Sequence, residues 1–292
     1  MNTPVRTYLE QPSPVHLTLP PGACDSHVHV FGPPDRFPYA QGRSITPVEA
    51  GKEQLFALHR QLGIERCVIV QSMVHGLDNR VVEDAIAAGG GRYLGVALVP
   101  VSVPDAELRR LAERGFRGVR FNFMRHLGQG PQVQEVLALT PRLAEAGLHL
   151  QVHFEAALVH ELGPWLLQSP VPVVIDHMGR VDARLGTDHA HVQALAALLE
   201  APHIHVKISG IDRVDALAPP EERYAHGVRL ARWLTERFGP KCIWGTDWPH
   251  PNHTHIPDDG HLVNALAEIL PTPALMRQVL VDNPQVLYRF TA

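Results

Sequence analysis

His27 and His29, in the run Asp25-Ser26-His27-Val28-His29, are separated by a single residue, a spacing that suits a strand. Side chains alternate along a strand, so both imidazoles face one way, about 7 Å apart along the chain, where one cation can accept both. His153, His177 and Asp247 stand at the ends of other apolar, β-branched runs. Imidazoles with one carboxylate suit a first-row divalent ion such as zinc, which keeps a position for water and lowers that water's pKa toward neutrality. The expected site is mononuclear, with His27, His29, His153 and Asp247 as ligands and Asp247 and His177 as catalytic groups. Two-metal sites commonly need a bridging lysine carboxylate or glutamate, and the fourth run, Gly118-Val119-Arg120-Phe121-Asn122-Phe123, offers neither. A metal-free alternative stays open, in which His27, His29 and His177 supply the positive field and Asp247 is still the base.

Taken singly, His153 reads as a core histidine bonded to a carbonyl and Asp247 as a turn carboxylate. Their joint placement at strand C-terminal ends favours a site. Arg120, Arg180 and Arg213 also lie at or just beyond strand ends, and three guanidiniums suited to bidentate contacts suggest an anionic substrate. Lys207 interrupts a buried strand pattern and needs a carboxylate partner. His250, His253 and His255 read as a flexible His-rich loop in preference to a second metal site. Gly89-Gly90-Gly91 follows a helix, so it fails as a phosphate-binding fingerprint.

These residues need elements to hold them. Eight β-branched runs, at 23–30, 67–72, 94–99, 118–123, 148–154, 171–177, 205–209 and 242–247, alternate with helical patterns at 51–62, 78–88, 104–114, 133–146, 156–168, 189–199 and 221–238. Two more helical stretches, 259–270 and 273–288, close the outer ring. Gly63, Gly89, Gly115, Gly147 and Gly239 fall just past helix ends, where left-handed caps are expected. Eight βα units in one α/β chain predict a single-domain (β/α)8 TIM barrel at 22–292, preceded by an N-terminal extension at 1–21. In such a barrel catalytic groups gather at the C-terminal ends of the strands. Segments 31–42 and 248–260 read as loops over the barrel mouth.

A chain of 292 residues, 45% hydrophobic and 19% charged, has material for a large core. A net charge of -4 without a basic run gives no footprint for nucleic acid. No stretch reads as a signal peptide or membrane span, so a cytoplasmic protein with no membrane contact is expected. Cys24, Cys67 and Cys242 are widely spaced and read as reduced core thiols. Homo-oligomer formation is left open, with fold analogy its only support.

At these positions the sequence resembles the amidohydrolase superfamily, through the HxH on strand one, histidines on strands five and six, and aspartate on strand eight. Segments 25–32, 68–71, 75–79, 118–123, 174–180, 243–252 and 256–260 are similar to those of the 2-pyrone-4,6-dicarboxylate lactonases, and the similarity spans nearly the whole chain. The nine residues from Trp244 to Asn252, WGTDWPHPN, are its most specific piece. The resemblance implies a hydrolase that opens a small anionic, carboxylated lactone of aromatic-compound breakdown. It implies roles for His27, His29, His177 and Asp247, and carboxylate recognition by Arg120, Arg180 and Arg213. Two departures stand out. Those lactonases are metal-independent and carry tyrosine where this chain has His153, a pattern shared instead with the metal-binding 4-sulfomuconolactone hydrolases. A further substrate-binding arginine is replaced by His126.

The expected chemistry has Asp247 deprotonate a water held at the metal, the hydroxide attack the lactone carbonyl, His177 stabilise the tetrahedral species, and Asp247 return the proton to the leaving oxygen. Two rivals are non-oxidative decarboxylation of an aromatic or muconate-type acid, and a barrel that binds an anionic metabolite without turning it over. A general base beside a Lewis-acid site argues against the pure binder.

Overall fold

The computed structural model describes residues 4–124, 130–217, 224–253 and 255–291. Eight parallel strands run in sequence order around a barrel: β1 Cys24–Val28, β2 Arg66–Val70, β3 Tyr93–Leu98, β4 Phe116–Phe123, β5 His149–Phe154, β6 Val173–Ile175, β7 Ile204–Lys207 and β8 Cys242–Ile243. The seam between β8 and β1 is closed by backbone bonds from Ser26 to the Trp244 carbonyl, from Asp247 to that of His27 and from His29 to that of Trp248. These bonds run past the short β8, so the chain from Trp244 to Trp248 continues along β1 without regular ladder geometry. Gly245 permits that approach, because a Cβ there would fall 2.5 Å from the His27 nitrogen and 2.8 Å from an Asp25 carboxylate oxygen. Asp25 fastens the same seam, accepting from the His27 and Thr246 amides at 3.0 and 3.1 Å and from the Thr246 hydroxyl at 2.6 Å.

Helices α1 Lys52–Leu62, α2 Arg80–Ala88, α3 Asp105–Glu113, α4 Val133–Glu145, α5 Val159–Leu166, α6 Ala190–Leu199 and α7 Ala225–Phe238 lie between the strands, and α8 Asp259–Asn264, α9 Leu266–Ile269, α10 Pro273–Arg277 and α11 Asn283–Tyr288 follow β8. Their apolar stripes bury residues such as Val82, Leu111, Leu143, Leu195 and Leu234 in the main core cluster. Ser13 donates through its amide and hydroxyl to Asp258, which also caps α8, so the N-terminal segment is tied to the far end of the chain. Among the described residues, no helix is long and apolar enough to cross a membrane.

Two sets of expectations shift. β6 and β8 are shorter than 171–177 and 242–247: regular pairing ends at Ile175 and Ile243, and the backbone is left-handed at His177 and Asp247. Gly63, Gly115 and Gly147 adopt the left-handed caps, whereas Gly89 and Gly239 are right-handed with φ of -81° and -44°. Gly89 is required for space instead, since a Cβ would meet the Tyr93 side chain at 2.6 Å. Cys24, Cys67 and Cys242 are buried free thiols.

The strands put polar side chains inside the barrel in layers. On β5 the period of two turns His149, Gln151 and His153 to one face, and their register partners on β4 are Gly118, Arg120 and Asn122. His149 fills the floor, its ring so close to Gly118 that a Cβ there would lie 2.4 Å away. Burial, with Lys207 above it, pushes the His149 pKa down to about 3. The folded protein therefore keeps this ring neutral, while the unfolded chain takes up a proton below about pH 6.5. The unfolded state binds more protons in that window, so acid destabilises, by about 2 kcal/mol from this one residue at pH 5. Thermal unfolding at pH 7 and pH 5 checks this: His149→Leu is expected to reduce the acid-induced drop in Tm by several degrees, and an unchanged drop refutes it.

Candidate active site

The barrel's interior polar layer is a charged cluster centred on Asp176, at the end of β6. Its carboxylate lies 2.9 Å from Arg120 Nε, 3.5 Å from Lys207 Nζ and 3.3 Å from His27 Nδ1, and accepts from Gln151 Nε2 at 3.1 Å. Lys207 also donates to Gln151 Oε1 at 2.9 Å and stands 3.2 Å from His27 Nδ1. All are buried. Burial would raise the Asp176 pKa, but Arg120, Lys207 and His27 hold it well below the usual carboxylate range. Burial also takes Lys207 down to about 8. The carboxylate that Lys207 requires is thus Asp176.

Above this layer, His27, His29 and His177 surround Asp247. Their Nε2 atoms lie 3.7, 3.4 and 3.9 Å from Asp247 Oδ1, which makes no hydrogen bond of its own among the described residues. The other carboxylate oxygen is gripped by Arg213, through Nε at 2.5 Å and through Nη2, and Arg213 also donates to the Pro251 carbonyl at 2.9 Å. Burial would raise the Asp247 pKa, yet Arg213 and the surrounding imidazoles keep it well below the usual range, so it is ionised. Burial lowers His27 to about 3 and His177 well below its ordinary value, so both rings are neutral near pH 7. His177 Nδ1 pairs with the Ser209 hydroxyl at 2.9 Å.

Asp247 and His29 line a cavity of about 220 Å³ with His177, Arg120, Arg180 and Arg213. His177, Arg180, Asp247, His250 and Asn252 all have φ between +48° and +68°, a backbone state that costs energy in residues with a Cβ and clusters at functional sites. Arg120 and Arg213 are already engaged with Asp176 and Asp247. Arg180 has no ion-pair partner among the described residues, and burial together with Arg213 lowers its pKa to about 10. An anion entering the cavity would meet this guanidinium.

His29 tests whether the residues fit a metal. Its Nδ1 donates to the Val70 carbonyl at 2.7 Å, so in the neutral ring Nε2 carries a lone pair, which faces Asp247 Oδ1 3.4 Å away. Two acceptors so placed repel unless a proton or a cation stands between them. His27 Nε2 is likewise buried without a hydrogen bond among the described residues. His27, His29 and Asp247 bring ligand atoms within 4.8 Å of one another and fit a divalent ion; His27, Asp176 and His177 do so too, but Asp176 is taken by its cationic neighbours. His153, expected as a fourth ligand, stands in neither group, and its Nδ1 lies 2.8 Å from Arg120 Nη2.

The His-rich loop is anchored. His250 is buried with Nε2 3.1 Å from Asp259, and His253 Nε2 lies 2.6 Å from Asp212. His126 lies outside the described residues. The structure adds Asp176, Gln151 and Ser209 to the site. Gln151 and Ser209 had a usable signal, being polar and two residues from His153 and Lys207 on the same strand faces.

A family model described as amidohydrolase matches residues 24–290. The chain belongs to the amidohydrolase family. This amidohydrolase is 42% identical over 284 residues to a 2-pyrone-4,6-dicarboxylate hydrolase from Comamonas testosteroni, with 95% of this chain and 93% of the relative covered. It is 36% identical over 283 residues to a 4-sulfomuconolactone hydrolase from Hydrogenophaga intermedia, covering 94% and 91%. A crystal structure of a probable 2-pyrone-4,6-dicarboxylic acid hydrolase from Acinetobacter baumannii, with citric acid bound, superposes with a TM-score of 0.82 at 26% identity, covering 92% of this amidohydrolase and all of that chain.

Proposed function

We propose that this amidohydrolase opens a carboxylated lactone of the 2-pyrone-4,6-dicarboxylate or muconolactone type by attack of water activated at Asp247. The observation that carries the reading is Asp247 Oδ1: ionised, without a hydrogen bond among the described residues, ringed by three imidazole nitrogens within 3.9 Å, and sharing its cavity with Arg180, which has no ion-pair partner among those residues. The two curated relatives both act on lactones bearing acidic groups, and the structural neighbour from Acinetobacter holds a tricarboxylic acid.

Arg180, with the outward edges of Arg120 and Arg213, binds the substrate's acidic group and fixes the ring over the imidazoles. Arg213 immobilises one Asp247 oxygen, which leaves Oδ1 as the only oxygen able to take a proton from the attacking water. A carboxylate so depressed in pKa is a weak base, so the water must itself be made acidic. A divalent ion held by His27, His29 and Asp247 would supply that acidity and polarise the lactone carbonyl. His177, set by Ser209, is placed to donate to or orient the developing tetrahedral centre. When the C–O bond of the ring breaks, Asp247 returns the proton to the expelled oxygen, and the base is restored.

The test is incubation of the purified protein with 2-pyrone-4,6-dicarboxylate and 4-sulfomuconolactone, following ring absorbance and CO2, before and after chelation, alongside metal analysis. Loss of the ring with no CO2 is expected. CO2 release would instead support a decarboxylase, and binding without turnover a passive binder. Activity that survives complete chelation would remove the metal from the mechanism while keeping Asp247 as base.

A further inference from the structure

We infer that Arg120 locks His153 in the tautomer with its proton on Nε2, so that His153 faces the cavity as a hydrogen-bond donor to a substrate oxygen and does not ligate a metal. A guanidinium offers donors only and no acceptor. Arg120 Nη2 lies 2.8 Å from His153 Nδ1, a contact that requires a lone pair on that nitrogen. A neutral imidazole has one N–H, which must then be on Nε2. Burial and the nearby Arg120 charge favour the neutral ring.

Arg120 cannot easily turn away. It is buried, with Nε 2.9 Å from Asp176 Oδ2, and it sits one interior layer below the Asn122–His153 register pair. With the Nδ1 lone pair engaged and Nε2 protonated, His153 has none left for a cation. The positions agree, since His27, His29 and Asp247 converge without it. His153 Nε2 is buried, has no hydrogen-bond partner among the described residues, and belongs to a ring lining the cavity. A buried donor without an acceptor is costly, and an oxygen of the bound substrate would satisfy it. Arg120 is therefore a positioning residue for His153 as well as part of the cavity wall. Only the nature of the acceptor rests on the lactone reading; the tautomer does not.

The test is long-range ¹H–¹⁵N correlation on histidine-labelled protein, with and without equimolar Zn2+, His153 being assigned by its loss in His153→Gln. The expected spectrum has a protonated Nε2 and a bare Nδ1 for His153, unchanged by zinc, while His27 and His29 resonances move. Arg120→Met should release the lock and give mixed tautomers. A proton on Nδ1, or loss of the Nε2 proton on adding zinc, overturns the inference. If zinc moves no imidazole, the metal reading fails while the tautomer assignment is still decided by its own pattern. Should Arg120→Met not fold, kinetics provide the second arm: His153→Gln, which keeps an N–H near Nε2, should retain kcat/KM within about tenfold, and His153→Leu should lose about 100-fold with bound zinc unchanged. A His153→Leu enzyme as active as the wild type, or one depleted of zinc, would refute the donor role.

Discussion

Asp247→Asn should lower kcat for lactone opening by about 10³-fold or more and leave KM unchanged or smaller. Asparagine has nearly the shape of aspartate and can still accept from Arg213, so the seam bond from the residue 247 amide to the His27 carbonyl should survive. What disappears is the anionic oxygen that faces the Nε2 atoms of His27, His29 and His177. Water loses its proton acceptor, and Arg213 and Arg180 lose the negative charge that partly balanced them. The cavity becomes more positive, which favours binding of an anionic substrate even as turnover stops. Steady-state kinetics with ligand binding by calorimetry distinguishes these effects. A variant within about tenfold of wild-type kcat would remove Asp247 from the chemistry, since a general base is worth about 10²–10⁴.

The second large effect is on stability. Asp176→Asn removes the buried anion that Arg120 and Lys207 share, leaving two buried cations beside Gln151 and imidazole nitrogens. Breaking a buried ion pair by deleting one partner costs about 3–5 kcal/mol, and that range is expected in urea unfolding. Lys207 can relieve part of the loss by giving up its proton, since its pKa is already down at about 8. The double variant Asp176→Asn with Lys207→Met should accordingly be more stable than Asp176→Asn alone, a coupling that a double-mutant cycle measures. Additive losses would mean that the two groups do not share one charge balance. His27 should also change, because its Nδ1 touches both residues, so kcat is expected to fall in the single variant even where the protein remains folded.

The barrel could be read from the sequence because its strands are apolar runs rich in β-branched residues and its helices bury clear stripes, signals that survive without knowledge of neighbours. Strand lengths were harder. β6 and β8 look longer in the sequence because their runs read on to His177 and Asp247, whereas regular pairing ends at Ile175 and Ile243, and the left-handed φ of His177 and Asp247 is not written in residue type. The imidazoles around Asp247 could be inferred from their positions at strand ends. Asp176 could not, since strand alternation sends it and the adjacent His177 to opposite faces, whereas the left-handed turn at His177 brings both toward His27; its partners Arg120, Gln151 and Lys207 come from three other strands. His153 shows the same limit: its residue type suits a ligand, and only the contact with Arg120 reveals which nitrogen carries the lone pair.

The left-handed residues divide the cavity wall into two unequal halves. His177, Arg180, Asp247 and Asn252 stand on backbone that most replacements would strain, while Ser72, Met73 and Asn122 line the opposite side on ordinary conformations. Divergence toward a differently shaped ring should therefore accumulate on the second half, with the reacting half inherited nearly intact. An engineer seeking altered selectivity would begin a library at 72, 73 and 122.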